Sequence, residues 1–323
     1  MVSHVTTDGG ASDVSAVDVS VPFIVDGGAF RGRLVRLTRT VTDILHAHQD
    51  PEPVGKLMAE AMLAAVSLAS GLKYDGVFTL QIQGNGPVDT LVTDVTSTGD
   101  VRGYVRFDPD QVAAENARPH PHLLGPGGHL VFTVDQGPET ERFQGIVELA
   151  GAGITDAVHN YFRQSEQIES ALKMAVAPPA HTGEDWRAAA IVVQRMPEKK
   201  DGPPISPEDA EDAWRTVVIL LGSLKDQELL DWSITPERLI TRLYATLGVL
   251  SLPRRPIRAK CRCSYERSER ILASFPVDEI RSYAQNGKVH MTCEFCRTDY
   301  VFSEDQLEAV AAKHRDQPRM TLT

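Results

Sequence analysis

Apolar positions along the chain recur with two different periods. The stretch PEPVGKLMAEAMLAAVSLASGLK, from Pro51 to Lys73, is rich in Ala, Leu and Met and free of proline beyond its first residues, which predicts a buried helix. GVFTLQIQ then sets Phe78, Leu80 and Ile82 against Thr79, Gln81 and Gln83, a period of two that predicts a half-buried strand. GNGP (Gly84–Pro87) breaks it, VDTLVTDV follows, TSTGD turns the chain and VRGYVRF reads as a further strand, together an antiparallel meander. HLVFTVD and FQGIVELA predict another pair across QGPETER, a helix is expected from Ile154 to about Gln167, and SALKMAV and RAAAIVVQRM read as closing strands. Residues 21–196 are therefore expected to form one α+β core domain, an antiparallel sheet with packed helices. Residues 1–20 are small, polar and slightly acidic, with neither a basic start nor an apolar run, and read as a disordered tail rather than a secretion signal.

The polar, proline-rich PEKKDGPPI (Pro197–Ile205) marks a boundary. Beyond it the signals are helical. Ser206 suits a cap, Pro207 the first turn, and Glu208 and Asp209 the positive end of the helix dipole. TPERLITRLYATLG repeats the device with Thr235 and Pro236 and stops at Gly248. Residues 197–256 read as a helical linker, with Trp214, Val217, Val218, Leu221 and Leu224 at helical spacing. Such a stripe packs on a neighbouring domain, or it is a surface uncovered under some condition. Residues 257–312 form a third segment with two short helices expected, one from Pro276 to Gln285 and one starting at Ser303 with Gln306 at the capping-box position. Residues 313–323 are left as a C-terminal tail. There are no internal repeats.

Composition narrows the class. With 42% hydrophobic and 24% charged residues the chain is an ordinary globular protein. A net charge of −11 argues against a general nucleic-acid binder, which needs a basic surface. The longest apolar runs, AAAIVV (Ala188–Val193) and VVILL (Val217–Leu221), fall far short of the ~20 residues a membrane span needs. The cytoplasm is the expected compartment, where paired cysteines serve as metal ligands or redox groups more often than as structural disulfides.

All four cysteines lie in the third segment, as Cys261-x-Cys263, twenty-nine residues, then Cys293-x-x-Cys296. Two close pairs separated by a short domain's length suit a four-thiolate zinc site, each pair on a tight turn reaching two corners of a tetrahedron. Four Cys ligands leave no open corner for a catalytic water. A thioredoxin-type dithiol would need no C-x-C pair, whereas a zinc ribbon for protein or nucleic acid stays open, because Arg254, Arg255, Arg258, Lys260, Arg262, Arg267, Arg270 and Arg297 crowd the site. Those cations can equally offset a centre with two net negative charges. His290 is a competing ligand or an exposed side chain. HAH (His46–His48) and HPH (His120–His122) read as loop histidines rather than a second metal site. No G-x-S-x-G elbow, H-E-x-x-H pair or Walker-type loop is present, and the chain is not expected to be an enzyme. Neighbouring thiolates are open to oxidants, and one oxidised sulfur can be resolved by the other, so a metal would lose two ligands at a time.

CRCSYER followed by MTCEFCRTDYVFSEDQL resembles the heat-shock protein 33, or 33 kDa chaperonin, family, and so do RGRLVRLTRTV, LKYDGVFTLQIQGNGPV, ERFQGIVEL and YFRQSEQI, in the same order. The likeness spans roughly residues 21–311. It implies an α/β core, a helical linker and a C-terminal zinc domain. It also implies a redox-regulated, ATP-independent holdase whose Cys261, Cys263, Cys293 and Cys296 bind one zinc per chain when reduced and form Cys261–Cys263 and Cys293–Cys296 disulfides when oxidised. Loss of the zinc domain would then free the linker stripe, Trp214 to Leu224, for unfolding client proteins. The resemblance further implies a homodimer in the oxidised form, and neither nucleic acid nor membrane is an expected partner. The alternative reading is a constitutive zinc-ribbon binding module without a redox response. The tail, the 197–205 insertion and the final residues depart from the family pattern.

Overall fold

The computed structural model describes residues 18–118, 122–137, 139–149, 153–162, 168–197, 206–303 and 305–307. The chain opens on strands β1 (Val19–Val25) and β2 (Phe30–Leu37), then helices α1 (Arg39–His48) and α2 (Glu52–Ala69). Strands β3 (Val77–Gln83), β4 (Val88–Thr96) and β5 (Asp100–Phe107) lead to helix α3 (Pro109–Asn116). Next come β6 (His129–Asp135), β7 (Phe143–Glu148), helix α4 (Ile154–Tyr161), β8 (Ser170–Ala177) and β9 (Arg187–Arg195). Helices α5 (Pro207–Ser223), α6 (Asp226–Leu229) and α7 (Pro236–Leu243) precede three short strands, β10 (Val249–Ser251), β11 (Arg255–Pro256) and β12 (Arg258–Ala259). The C-terminal module holds α8 (Tyr265–Leu272), α9 (Val277–Ser282) and a hairpin of β13 (Lys288–Thr292) and β14 (Asp299–Ser303).

Two sheets sandwich α2. The first runs β10-β1-β2-β9-β8, with β11 also on β1; the second runs β12-β5-β4-β3-β6-β7 and contains the expected meander. All pairings are antiparallel except β12 with β5. Val35, Leu37, Ala190 and Val192 of one sheet and Phe78, Leu80, Ile82 and Leu91 of the other share a core with Met58, Met62 and Val66 of α2. From Ala61 to Ala69 every position of α2 is buried and nearly all are apolar, while its first turns keep Glu52 and Lys56 paired in solvent.

The first sheet is buried on both faces. Its outer face presents Val21, Phe23, Leu34, Ile191 and Val193 to Trp214, Val217, Leu221 and Leu224 of the α5 segment, and to Leu239, Ile240 and Tyr244. This is why AAAIVV in β9 is a continuous apolar run while β3 alternates. The two caps form as expected, Ser206 Oγ accepting from the Asp209 N–H (3.1 Å) and Thr235 Oγ1 from the Arg238 N–H (3.3 Å). Ser303 and Gln306 make the reciprocal capping contacts at 2.8 and 3.4 Å.

Several expectations are corrected. Residues 19 and 20 belong to the sheet and not to a tail ending at residue 20: Val19 starts β1, and Asp18 before it is only 5% exposed. The segment expected as a helical linker to residue 256 returns to the first sheet as β10 and β11. HAH lies in the last turn of α1, not in a loop, because Val41, Ile44 and Leu45 give that stretch a helical apolar face. Val218 is 38% exposed and sits at the rim of the α5 stripe, since the buried positions 214, 217, 221 and 224 centre the helix face away from it. His120, the end of the Ile154–Gln167 helix, most of the 197–205 insertion and the final tail lie outside the described residues.

Candidate metal centre

The first cysteine pair hangs from the edge of the second sheet. Arg258 and Ala259 pair with Asp100 and Val101, and the Lys260 N–H donates to the Val101 carbonyl at 2.8 Å, so Cys261 leaves a fixed strand end. Gly99, at φ 88° in the β4–β5 turn, makes this approach possible; a Cβ there would meet the Pro256 carbonyl at 2.2 Å. After Cys263 the chain enters α8, capped by Ser264 Oγ, which accepts from the Arg267 N–H at 3.2 Å.

The second pair sits on the turn of the β13–β14 hairpin. The Cys293 N–H donates to the Thr298 carbonyl and the Arg297 N–H to the Cys293 carbonyl, both at 2.9 Å, and Arg297 takes a left-handed φ of 57°. This tight turn presents Cys293 and Cys296 side by side.

The four thiols converge. Cys261 Sγ lies 3.7 Å from Cys293 Sγ, Cys263 Sγ lies 3.4 Å from Cys296 Sγ, and all four sulfurs are within 4.8 Å of one another. A zinc tetrahedron with ~2.3 Å bonds has edges of about 3.8 Å, close to the 3.4 and 3.7 Å contacts and inside the 4.8 Å span of the cluster. Four soft sulfur donors and no nitrogen or oxygen ligand suit zinc over harder divalent ions. Among the described residues no other group of His, Cys, Asp or Glu converges in this way.

The thiols are not equivalent. Burial pushes the Cys263 thiol up to about 12, against the Tyr300 hydroxyl, which donates to its sulfur at 3.1 Å. Burial also pushes Cys293 up. At Cys296 burial is outweighed by the Thr298 hydroxyl and backbone N–H and by the neighbouring thiols, which bring it down to about 7. Cys296 is thus the sulfur most easily ionised, and the thiolate is the form that binds metal or meets an oxidant.

Four of the surrounding cations pair with carboxylates. Arg254 pairs with Glu237 at 2.6 Å, Lys260 with Asp100 at 3.2 Å and Arg262 with Asp94 at 2.6 Å, while Arg258 also reaches Asp100. They tie the arm to the core. The guanidinium that approaches a sulfur is Arg102 of β5, 4.0 Å from Cys261 Sγ, which the sequence did not single out. His290 is exposed and bonded through Nδ1 to Asp299 at 2.7 Å, apart from the thiol cluster. His48, in the last turn of α1, places its Nε2 3.0 Å from the Phe295 carbonyl inside the second cysteine turn. No local pattern marks Arg102 or His48, because both reach the site only through tertiary docking.

The fold and the site together define a class: a two-sheet α+β body carrying a C-terminal four-thiol module. The family model described as Hsp33 protein matches residues 18–303. The 33 kDa chaperonin of Caulobacter vibrioides is 36% identical over 289 residues, covering 88% of this chain and 94% of that protein. That of Pseudomonas fluorescens is 32% identical over 314 residues, covering 96% and 99%. The crystal structure of the 33 kDa chaperonin from Thermotoga maritima matches the fold with a TM-score of 0.76 at 23% identity, over 92% of this chain and 98% of that one. The chain belongs to the Hsp33 family of chaperones.

Proposed function

We propose that the chain is a redox-regulated, ATP-independent holdase that binds unfolding proteins in the cytoplasm, with one zinc per chain held by Cys261, Cys263, Cys293 and Cys296 in the reduced state. The observation that carries this reading is the convergence of the four thiols in a module with almost no core of its own. Among the described residues its buried apolar cluster is Leu272, Ile280, Val289, Phe302 and Leu307, far fewer than a domain needs to fold unaided. Bound zinc would hold the sulfurs as thiolates and add folding free energy, on the order of 10–16 kcal/mol in small zinc peptides.

Oxidation removes that support. Two thiolates closing to a disulfide give up two electrons; with hydrogen peroxide as acceptor its O–O bond breaks, and two protons complete two waters. Each closure deletes two ligands. The module then unfolds, the chain that follows α7 loses its anchor on the second sheet, and α5 to α7 loosen from the first sheet. Trp214, Val217, Leu221 and Leu224 and the face beneath them become available to apolar segments of clients. The sulfur contacts at 3.4 and 3.7 Å cross between the two motifs, so pairing as Cys261–Cys263 and Cys293–Cys296 is supported by the family likeness alone. Dimerisation of the oxidised form belongs to the same reading.

The test is aggregation of a heat-denatured client, followed with the reduced and the oxidised chain, with zinc release titrated against thiol loss. Suppression only after oxidation, with one zinc lost per four thiols, is expected, and Cys293→Ser should uncouple it. Equal protection in both states, or loss of binding on oxidation, would favour a constitutive zinc-ribbon module.

A further inference from the structure

The outer face of the second sheet carries a buried polar row that the redox reading does not use. Thr79 of β3, Asp94 of β4 and Arg102 of β5 are register neighbours across three strands. Asp94 is 4% exposed. Its Oδ1 accepts from the Thr79 hydroxyl at 2.6 Å, and its Oδ2 accepts from Arg102 Nε and Nη2, both at 2.7 Å. Oδ2 also accepts from Arg262 Nη2 at 2.6 Å, and Arg262 is the residue between Cys261 and Cys263. Arg102 in turn lies over the ring of Phe295, 3.7 Å from its centroid, and Phe295 stands between Cys293 and Cys296. Tyr104, two residues along β5 and so on the same face, meets that ring edge-on at 4.9 Å. His48 of α1 holds the Phe295 carbonyl.

We propose that Asp94 and Arg102 form a latch on the core that grips the two cysteine loops at once, each through the one residue its thiols flank most closely on this face. Docking of the small module is then controlled at the cysteines themselves, separately from the α5–α7 segment. A disulfide brings its two sulfurs to about 2.05 Å, whereas Cys261 and Cys263, and likewise Cys293 and Cys296, are free thiols in the reduced cluster, within 4.8 Å of each other but unbonded. Closing a loop therefore moves the backbone that aims Arg262 or Phe295, and the grip on Asp94 or Arg102 is lost. Arg262 and Phe295 are positioning residues: neither supplies a sulfur. The release part rests on the redox function proposed above; the grip itself does not.

The experiment uses the reduced, zinc-loaded full chain and its Arg262→Ala, Phe295→Ala and core-side Arg102→Leu variants, with Arg267→Ala on α8 as control. Hydrogen exchange is read at Val101 to Arg106 and at Arg258 to Lys260, and zinc content in parallel. Losing one charge-assisted, mostly buried contact should speed exchange in these segments by about tenfold or more, with one zinc per four thiols retained and the control unchanged. The variants should also release zinc at a lower oxidant dose than the parent. If Arg262→Ala loses zinc outright, Arg102→Leu, which leaves both cysteine loops intact, decides the matter. Unchanged exchange in Arg102→Leu and Phe295→Ala overturns the latch, even if the parent is activated by oxidant. A parent that never gains activity on oxidation while the variants still exchange faster would overturn the redox reading and leave the latch standing.

Discussion

Trp214 of α5 stacks on Phe30 of β2, with ring centroids 5.8 Å apart and planes 28° from parallel. This pair joins the helical segment to the outer face of the first sheet, where Val217, Leu221 and Leu224 continue the contact. Removing a buried indole costs about 3–5 kcal/mol. Trp214→Ala should therefore loosen α5 in the reduced chain and give measurable suppression of client aggregation without oxidant. Val218→Ala, at the exposed rim, should leave the reduced chain inactive. Equal behaviour of the two variants would mean that the stripe does not cover the binding face.

Asp18 joins three parts of the fold. Its carboxylate accepts from the Thr38 N–H at 2.7 Å, the Thr38 hydroxyl at 2.8 Å and the Thr40 N–H at 2.6 Å, and its carbonyl accepts from the Ile257 N–H at 2.8 Å. Asp18→Ala leaves buried donors at the start of α1 without a partner and should lower stability by on the order of 2–3 kcal/mol. Urea unfolding reads this as a lower midpoint at unchanged slope; an unmoved midpoint would return residue 18 to the tail.

Tyr300 meets the thiol cluster without supplying a sulfur, through the hydroxyl bonded to Cys263 Sγ. Tyr300→Phe keeps the ring against Tyr265 and removes only that donor. Zinc affinity, measured by competition with a chromogenic chelator, should fall about tenfold, the lower end of what outer-shell contacts contribute. An affinity equal to the parent's would leave the hydroxyl without a role at the site.

Glu237 of α7 gives the linker a pH dependence. Burial acts to raise its carboxyl, but the bonds from Arg254 (2.6 and 2.8 Å) prevail and hold it below its ordinary 4.5. A depressed carboxylate stabilises the fold above the unfolded-state value and loses that contribution as pH falls through the folded one. Stability should therefore decline from about pH 4.5 downward, and Glu237→Gln should flatten the decline within that acid window while lowering stability at pH 7. Parallel stability–pH curves for the two proteins would contradict this.

The acyclic logic of the site was readable at short range. Spacing of Cys261, Cys263, Cys293 and Cys296 marked a four-thiol centre because each pair is placed by a local turn, and the caps at Ser206 and Thr235 are equally local. The same holds for β3, whose period of two survives as alternating burial along the strand. By itself the sequence thus determined the strand β3, the two helix caps and the grouping of the four cysteines, since these depend on residues close along the chain.

Only the tertiary structure decided what meets what. Register across β3, β4 and β5 aligned Thr79, Asp94 and Arg102, and docking brought Arg262 and Phe295 to them from residues more than 150 positions away. It paired Arg258, Lys260 and Arg262 with Asp100 and Asp94 of the second sheet, and put Val218 at the rim of the α5 stripe. Contacts between distant segments carry no periodic or compositional signal; they follow from which faces the packed sheets leave free.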